Sequence, residues 1–354
     1  MKVMTIIGAR PQFIKAAVVS RAFGEHRPDV QEIIVHTGQH YDANMSDVFF
    51  EELDIPRPDY NLGIGGGTHG QNTGRMIEKL ESLMITEKPG WVLVYGDTDS
   101  TMAGALAASK LHIPVAHVEA GLRSFNRRMP EEINRILTDH IADLLFVPTE
   151  SGRKNLINEG ISEEKVRMVG DVMYDATLFY RKRARKPDLP NGLDLSDNSF
   201  ILCTIHRAEN TDDPERLKNI FEGLEISGQK IVLPLHPRTR SKVADSGIAF
   251  PDNVWVIDPV GYLEMVWLEA NCRSVATDSG GVQKEAYFFQ KPCSTMRDET
   301  EWLELVESGW NTLVGANATK IGNALSGNSS PAYAGFLYGE GHAGKKIVEL
   351  VSHD

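Results

Sequence analysis

Ser274-Val275-Ala276-Thr277-Asp278-Ser279-Gly280-Gly281-Val282-Gln283-Lys284-Glu285-Ala286 reads as a short buried strand, a polar turn carrying two glycines, and the opening of a helix. Such a turn leaves free backbone N–H groups where they can cradle a phosphate. Glu285, one turn into the helix, is placed to bind ribose hydroxyls. The same layout recurs along the chain. Val3–Ile7 runs into Gly8-Ala9-Arg10-Pro11-Gln12, and Trp91–Tyr95 into Gly96-Asp97-Thr98-Asp99-Ser100. Pro114–Val118 runs into Glu119-Ala120-Gly121-Leu122-Arg123, and Ile201–Ile205 into His206-Arg207. Ligands of open parallel sheets sit beyond the carboxyl ends of the strands, so five such clusters point to an α/β protein whose halves face one ligand.

The chain has 354 residues, too many for one ordinary core, so two domains are expected. Strand–helix alternation runs through the first half, ending with a helix near 173–184. The stretch 185–192, rich in Pro, Gly and charge, is the linker candidate. Alternation then resumes from a strand near 199–205. The expected division is a Rossmann-like domain over 1–184, a second over 197–335, and a closing C-terminal helix over 336–354. Gly322–Ser330, polar and rich in Gly, Asn and Ser, is expected to be a loop. The formal charge of −12 argues against nucleic acid as a partner, while leaving room for a local basic pocket. No apolar run approaches the roughly 20 residues that span a bilayer, and the first apolar run breaks at Gly8-Ala9-Arg10. A cytoplasmic protein without membrane contact is therefore expected. Cys203, Cys272 and Cys293 are scattered in or beside apolar runs and read as buried thiols.

Each cluster admits a functional and a plainer reading. Arg10 and Lys15 flank a helix start opened by Pro11, where anions are favoured; the plainer reading is a turn with solvated cations. Asp97 is a candidate acid or base, and Asp99 or Ser100 a helix cap. Glu119 ends a strand, with Gly121 allowing close approach. Glu131 and Glu132 follow Pro130 and either stabilise the helix start or enter the chemistry; Glu131 and Arg135 share a helix face. Carboxylates gathered at strand ends raise one another's pKa, which lets an acid and a base coexist near neutral pH. His206 beside Arg207 suits an anionic leaving group, or is structural. His236, between Pro234-Leu235 and Pro237, reads as part of a fixed loop and a weaker binding candidate. Gly65-Gly66-Gly67-Thr68-His69-Gly70 fits a dinucleotide fingerprint only loosely and reads as a flexible loop.

In this order the motifs resemble the non-hydrolysing UDP-N-acetylglucosamine 2-epimerase family, from Arg10 to about Gly315, with His36-Thr37-Gly38-Gln39-His40 and Gly170-Asp171-Val172 adding to the match. The resemblance implies a GT-B architecture: two Rossmann-like doubly wound domains with an interdomain cleft, UDP held mostly by the C-terminal one, and a homodimer. It implies an isomerase that removes the C2 proton of a UDP-2-acetamido sugar, expels UDP to leave a 2-acetamidoglucal, and re-adds UDP as a proton returns to the opposite face. By similarity Asp97, Glu119 and Glu131 form the carboxyl set. His206 would stabilise the departing diphosphate with Arg10 and Lys15. Ser279, Gly280, Gly281 and Glu285 would hold phosphate and ribose, and Arg135 would support the sugar site. Neither a metal nor a nicotinamide cofactor is required.

The chain departs from the family pattern. The usual Gly-Thr-Arg-Pro-Glu is Gly8-Ala9-Arg10-Pro11-Gln12, which removes a negative charge beside Arg10. A phosphate-binding arginine is replaced by Trp302 in Glu299-Thr300-Glu301-Trp302-Leu303-Glu304, so Arg297 or another cation must compensate. Tyr41-Asp42 follows Gln39-His40, and His69 or a neighbour occupies the region where activated members hold a second nucleotide sugar, which puts activation by substrate in doubt. The Ala-Arg-Pro-Gln and Thr-Glu-Trp variants resemble the branch acting on UDP-2,3-diacetamido-2,3-dideoxy-glucuronate for O-antigen assembly, with Arg127-Arg128 as a source of positive charge. UDP-N-acetylglucosamine is the neighbouring substrate; a GT-B glycosyltransferase and a hydrolysing UDP-sugar epimerase are the rival activities.

Overall fold

The computed structural model describes residues 1–38, 50, 53–190, 193, 195–327, 331 and 335–351, without the side chain of Arg10. Gln39-His40-Tyr41-Asp42 and nearly all of a helix expected near 43–53 lie outside the described residues. Short apolar runs form strands that are mostly buried on both faces, as parallel sheets require. The first sheet contains β1 (Lys2–Ile7), β2 (Gln31–His36), β3 (Tyr60–Asn61), β4 (Trp91–Tyr95), β5 (Val115–Val118), β6 (Leu144–Val147) and β7 (Val166–Met168). Their order is β3-β2-β1-β4-β5-β6-β7, every pair parallel. The second contains β8 (Ile201–Thr204), β9 (Ile231–Pro234), β10 (Val254–Ile257), β11 (Ser274–Thr277), β12 (Cys293–Thr295) and β13 (Asn311–Leu313), ordered β10-β9-β8-β11-β12-β13 and again all parallel.

Both orders reverse direction once, between β1 and β4 and between β8 and β11. This is the doubly wound Rossmann-like arrangement, and the reversal is where such sheets bind ligands. Gly8–Gln12 and Gly96–Asp99 follow the strands at the first reversal; His206-Arg207 and Asp278–Gly281 follow those at the second.

The chain forms two compact units, Met1–Leu178 with Phe336–Asp354, and Phe179–Gly335. The changeover falls inside helix Val172–Arg181. Arg185, at the start of the compositional linker, donates its backbone N–H to Leu263 of the second unit. The closing helix Ala343–Val351 packs on helix Arg10–His26, and the N–H of Gly344 donates to Asp175 Oδ2 at 2.9 Å. Cys203, Cys272 and Cys293 are buried, and burial pushes the last two thiols up to about 12. Among the described residues no helix is long and apolar enough to cross a membrane.

Three loop expectations are overturned. Of Gly65–Gly70, His69 and Gly70 already belong to helix His69–Glu87, which Thr68 caps through the Gln71 N–H. Residues 322–326 are not loop: Ala318–Ser326 is a helix capped by Asn317, with Ile321 and Leu325 in the core. Its glycine serves packing, since a Cβ on Gly322 would lie 2.4 Å from Ile226, and one on Gly223 of the facing helix 2.6 Å from Ile321. His236 is not held in a loop between prolines: Pro237 opens helix Pro237–Asp245, and His236 is its N-cap.

Candidate active site

At the first reversal, Gln12 ties the strand ends together. It is 2% exposed; its Oε1 accepts from the N–H groups of Gly8 (2.7 Å) and Ala9 (3.0 Å). Its Nε2 donates to the Tyr95 carbonyl (2.6 Å) and to the Thr98 and Thr101 hydroxyls (3.0 Å each). A glutamate has no donor for that carbonyl. Gln12 is therefore matched to the joint between β1 and β4. The helix cap here is Thr98, not Asp99 or Ser100: the Thr98 hydroxyl accepts from the Thr101 N–H.

Glu119 adopts φ +71°, a left-handed conformation that an L residue holds only when its surroundings impose it. The surroundings are specific. His117 reaches Asp139 through Nδ1 and the Gly96 carbonyl through Nε2, both at 2.7 Å. Asp139 also accepts from Arg123 (2.7 Å) and the Gly121 N–H (3.1 Å), and Arg123 grips Glu159 with two 2.7 Å bonds. Burial alone would push the Asp139 pKa up; His117 and Arg123 outweigh it and hold it below the ordinary value. On this frame Glu119, 9% exposed, is paired with Lys15. The pair stands over Gly96 (φ +65°), where a Cβ would lie 3.4 Å from Glu119 Oε2 and 3.6 Å from Lys15 Nζ. Lys15 thus meets a carboxylate here, so the anion its position suggested is in part the protein's own.

Helix Pro130–Ile141 separates its two leading acids. Glu132 is buried and accepts from the N–H groups of Ser124 and Phe125 (2.9 Å each), while Glu131 is exposed. Arg135 pairs with Glu132 (2.7 Å) and, through Nε and Nη2, with Asp97 Oδ2 (3.0 and 2.7 Å), not with Glu131 as helix spacing implied. Asn134 donates to the Asp97 carbonyl (3.0 Å) and to Asp99 Oδ1 (3.1 Å). Asp99 in turn meets His69 Nδ1 at 2.8 Å. Asp97 is thus fixed beside Gly96 and the Glu119–Lys15 pair, and Glu131 lies near enough to His69 to raise its pKa. His69, Asp99 and Asn134 are not singled out as site residues by sequence: Asp99 reads there as a cap beside Asp97, Asn134 as part of the Pro130–Arg135 helix start, and His69 as part of a loop in the region where activated members hold a second nucleotide sugar.

At the second reversal, Asp278 is fully buried at the end of β11. It accepts from the backbone N–H groups of His206 and Arg207 (3.1 Å each) and from Asn210 (3.2 Å), and lies 3.2 Å from His206 Nδ1. Burial would raise its pKa; His206 and these N–H groups override it and keep the carboxylate charged. That anion fixes the imidazole while leaving the His206 side chain 53% exposed. His206, His236 and Ser279 line one cavity of about 410 Å³ whose apolar wall includes Val260, Met265 and Val282. Ser279 caps helix Gly280–Phe288, whose first-turn N–H groups, those of Gly280 and Gly281 among them, have no acceptor within the helix. Glu285 is half-buried, with the Tyr262 hydroxyl at 3.5 Å. Beside it Glu269 is 1% exposed, and burial followed by the Glu285 charge pushes its carboxyl far upward.

The profile of the family described as UDP-N-acetylglucosamine 2-epimerase matches residues 23–352. The chain belongs to the UDP-N-acetylglucosamine 2-epimerase family. One relative, the UDP-2,3-diacetamido-2,3-dideoxy-D-glucuronate 2-epimerase of Pseudomonas aeruginosa, is 57% identical over 99% of each chain. The UDP-N-acetylglucosamine 2-epimerase of Methanocaldococcus jannaschii is 46% identical over 100% of this chain and 99% of its own. A crystal structure of the M. jannaschii enzyme with UDP-GlcNAc and UDP matches with a TM-score of 0.85 at 44% identity, covering 100% of both chains. The Neisseria meningitidis enzyme bound to UDP-GlcNAc matches with a TM-score of 0.84 at 33% identity, again over 100% of both.

In this UDP-N-acetylglucosamine 2-epimerase family member, the turn after β11 is braced by the segment that follows β12. Trp302, 6% exposed, donates its indole N–H to the Gly280 carbonyl (2.9 Å), and Lys284 Nζ lies 4.3 Å from its ring centroid. The indole thus supports the glycine turn from within. Arg297 is buried and paired with Glu301 at 2.8 Å, so its charge is already met. Where a Gly280 Cβ would stand, Glu301 Oε1 lies 2.4 Å away and Arg207 Nη2 3.8 Å, so a carboxylate and a second cation both border this turn.

Proposed function

We propose that this family member interconverts the C2 epimers of UDP-2,3-diacetamido-2,3-dideoxy-glucuronate without net hydrolysis, supplying precursors of surface polysaccharide. The observation that carries the substrate is the 57% identity, over 99% of both chains, to the P. aeruginosa enzyme of that name. UDP-N-acetylglucosamine is the second reading, favoured by the 46% identical M. jannaschii relative.

The chemistry follows from the groups described. A carboxylate of the Asp97, Glu119 and Glu131 set takes the C2 proton while the C1–O bond breaks and the electron pair leaves with UDP. The product is a 2-acetamidoglucal. UDP then re-adds at C1 as a carboxylic acid of the set delivers a proton to the opposite face of C2. Lys15 and Arg135 hold two members in place through ion pairs. His206, braced by Asp278, meets the departing diphosphate with Arg10, whose side chain lies outside the described residues. Stabilising charge that develops as the bond breaks is what lowers such a barrier. Ser279 and the Gly280–Gly281 turn take phosphate, Glu285 takes ribose, and His236 completes the cavity wall. The protein works as a homodimer in the cytoplasm. The exposed apolar side chains of Phe125, Ile133 and Leu137 are consistent with a covered surface, and the buried thiols with a reducing compartment.

Proton NMR in D₂O with each nucleotide sugar tests this. The expected result is deuterium at C2, both epimers present, no accumulation of free UDP, and faster exchange of the uronate. Faster exchange of UDP-N-acetylglucosamine overturns the substrate. UDP accumulating with free sugar makes the enzyme hydrolytic, and no exchange in either sugar overturns epimerisation.

A further inference from the structure

An anionic sugar brought to the Asp97, Glu119 and Glu131 set meets repulsion unless a cation receives its carboxylate. Two cations of the first unit are committed elsewhere: Lys15 to Glu119, and Arg135 to Asp97 and Glu132. His69 is placed differently. It stands at the start of helix His69–Glu87 with its side chain 71% exposed, anchored through Nδ1 to Asp99 at 2.8 Å. Asp99 is itself 6% exposed and held by Asn134, whose same amide group holds the Asp97 carbonyl. The imidazole is therefore mounted on the scaffold that fixes Asp97, yet one residue further out.

We propose that His69 receives the C5 carboxylate of the sugar and so makes this epimerase select a uronate over its neutral counterpart. The assignment rests on the uronate reading of the substrate. Anchoring at Nδ1 fixes the ring and leaves Nε2–H as the donor to a ligand, a geometry an exposed lysine lacks. C5 lies across the pyranose ring from C2, so the group that reads its carboxylate has to stand beside the acid–base set rather than within it, as His69 does. The charged groups facing His69 favour the imidazolium: Asp99 first, by hydrogen bond and charge, then Glu131, against some desolvation and the positive end of its own helix. Arg127 and Arg128, exposed in the loop before helix Pro130–Ile141, are the competing source of charge.

The test compares kcat/KM for UDP-2,3-diacetamido-2,3-dideoxy-glucuronate and for the same sugar with a C6 hydroxymethyl group, in wild type, H69Q and R127Q/R128Q. H69Q is expected to reduce the acid-over-neutral preference by about 10-fold or more, through KM for the acid, while R127Q/R128Q keeps the preference. In wild type the preference is expected to fall as pH rises past the ordinary histidine value of 6.5, because the folded-state pKa is raised and the cation is lost above it; in H69Q the preference is flat with pH. Equal losses on both sugars in H69Q, an unchanged preference, or a loss confined to R127Q/R128Q overturns the assignment. Wild type that acts on neither sugar overturns the function and this assignment together, a failure visible before any variant is compared.

Discussion

Glu119 and Glu131 occupy opposite kinds of environment. Glu119 is 9% exposed, in a left-handed conformation and paired with Lys15, whereas Glu131 is exposed at the start of helix Pro130–Ile141. Glu119→Gln and Glu131→Gln are each expected to slow epimerisation by about 10²-fold or more, the range of a lost general acid or base, while UDP binding measured by calorimetry persists. Binding of UDP lost together with activity would mean that the fold, not the proton transfer, had been removed.

At the scale of elements, the left-handed turn after β5 is what aims Glu119. Gly121 has φ +81°, and a Cβ there would lie 2.4 Å from the Gly152 carbonyl oxygen, at the start of helix Glu150–Asn158. Neither backbone segment can yield cheaply, because Asn155 also holds the Gly121 carbonyl at 3.0 Å. Gly121→Ala is therefore expected to destabilise the protein by about 2 kcal/mol or more, read as a drop in Tm, and to reduce kcat by displacing Glu119. A variant with native Tm and full activity would show that this turn does not position the carboxylate.

Across the whole first unit, Asp139 joins β4, β5, helix Pro130–Ile141 and helix Glu150–Asn158 through His117, Gly121 and Arg123. Its folded-state pKa lies below the ordinary 3.8. A depressed carboxylate contributes stability that is present above its unfolded value and lost as pH falls through the folded one. Acid should therefore strip this contribution progressively below about pH 5. Asp139→Asn removes the carboxylate that Arg123 and His117 share and leaves Arg123 with Glu159 alone, and is expected to cost about 3 kcal/mol at neutral pH. Its Tm should also fall less steeply than wild type between about pH 5 and pH 3. Parallel pH profiles for the two proteins would place the acid sensitivity elsewhere.

The fold was legible in the chain because parallel sheets bury both faces: apolar runs such as Trp91–Tyr95 and Ile201–Thr204 stand out, and each ends in the residues that chemistry needs. Gly121 was readable as a place of close approach, although what approaches it is the backbone of Gly152, and Ser279 was readable as the hydroxyl that opens a helix. Where side chains are shared between distant segments, local spacing misled. Helical register puts Glu131 and Arg135 on one face, but it cannot show that Arg135 reaches Asp97, 38 residues away. Gly322 looked like a loop residue because its value lies in letting a second helix approach, which no single-segment pattern reveals. His69 and Asp99 are 30 residues apart in sequence and meet only because β4 and the helices beside it bring them together. Whether a histidine is a solvated loop residue or a fixed cation depends on that partner, so packing and not composition settles it.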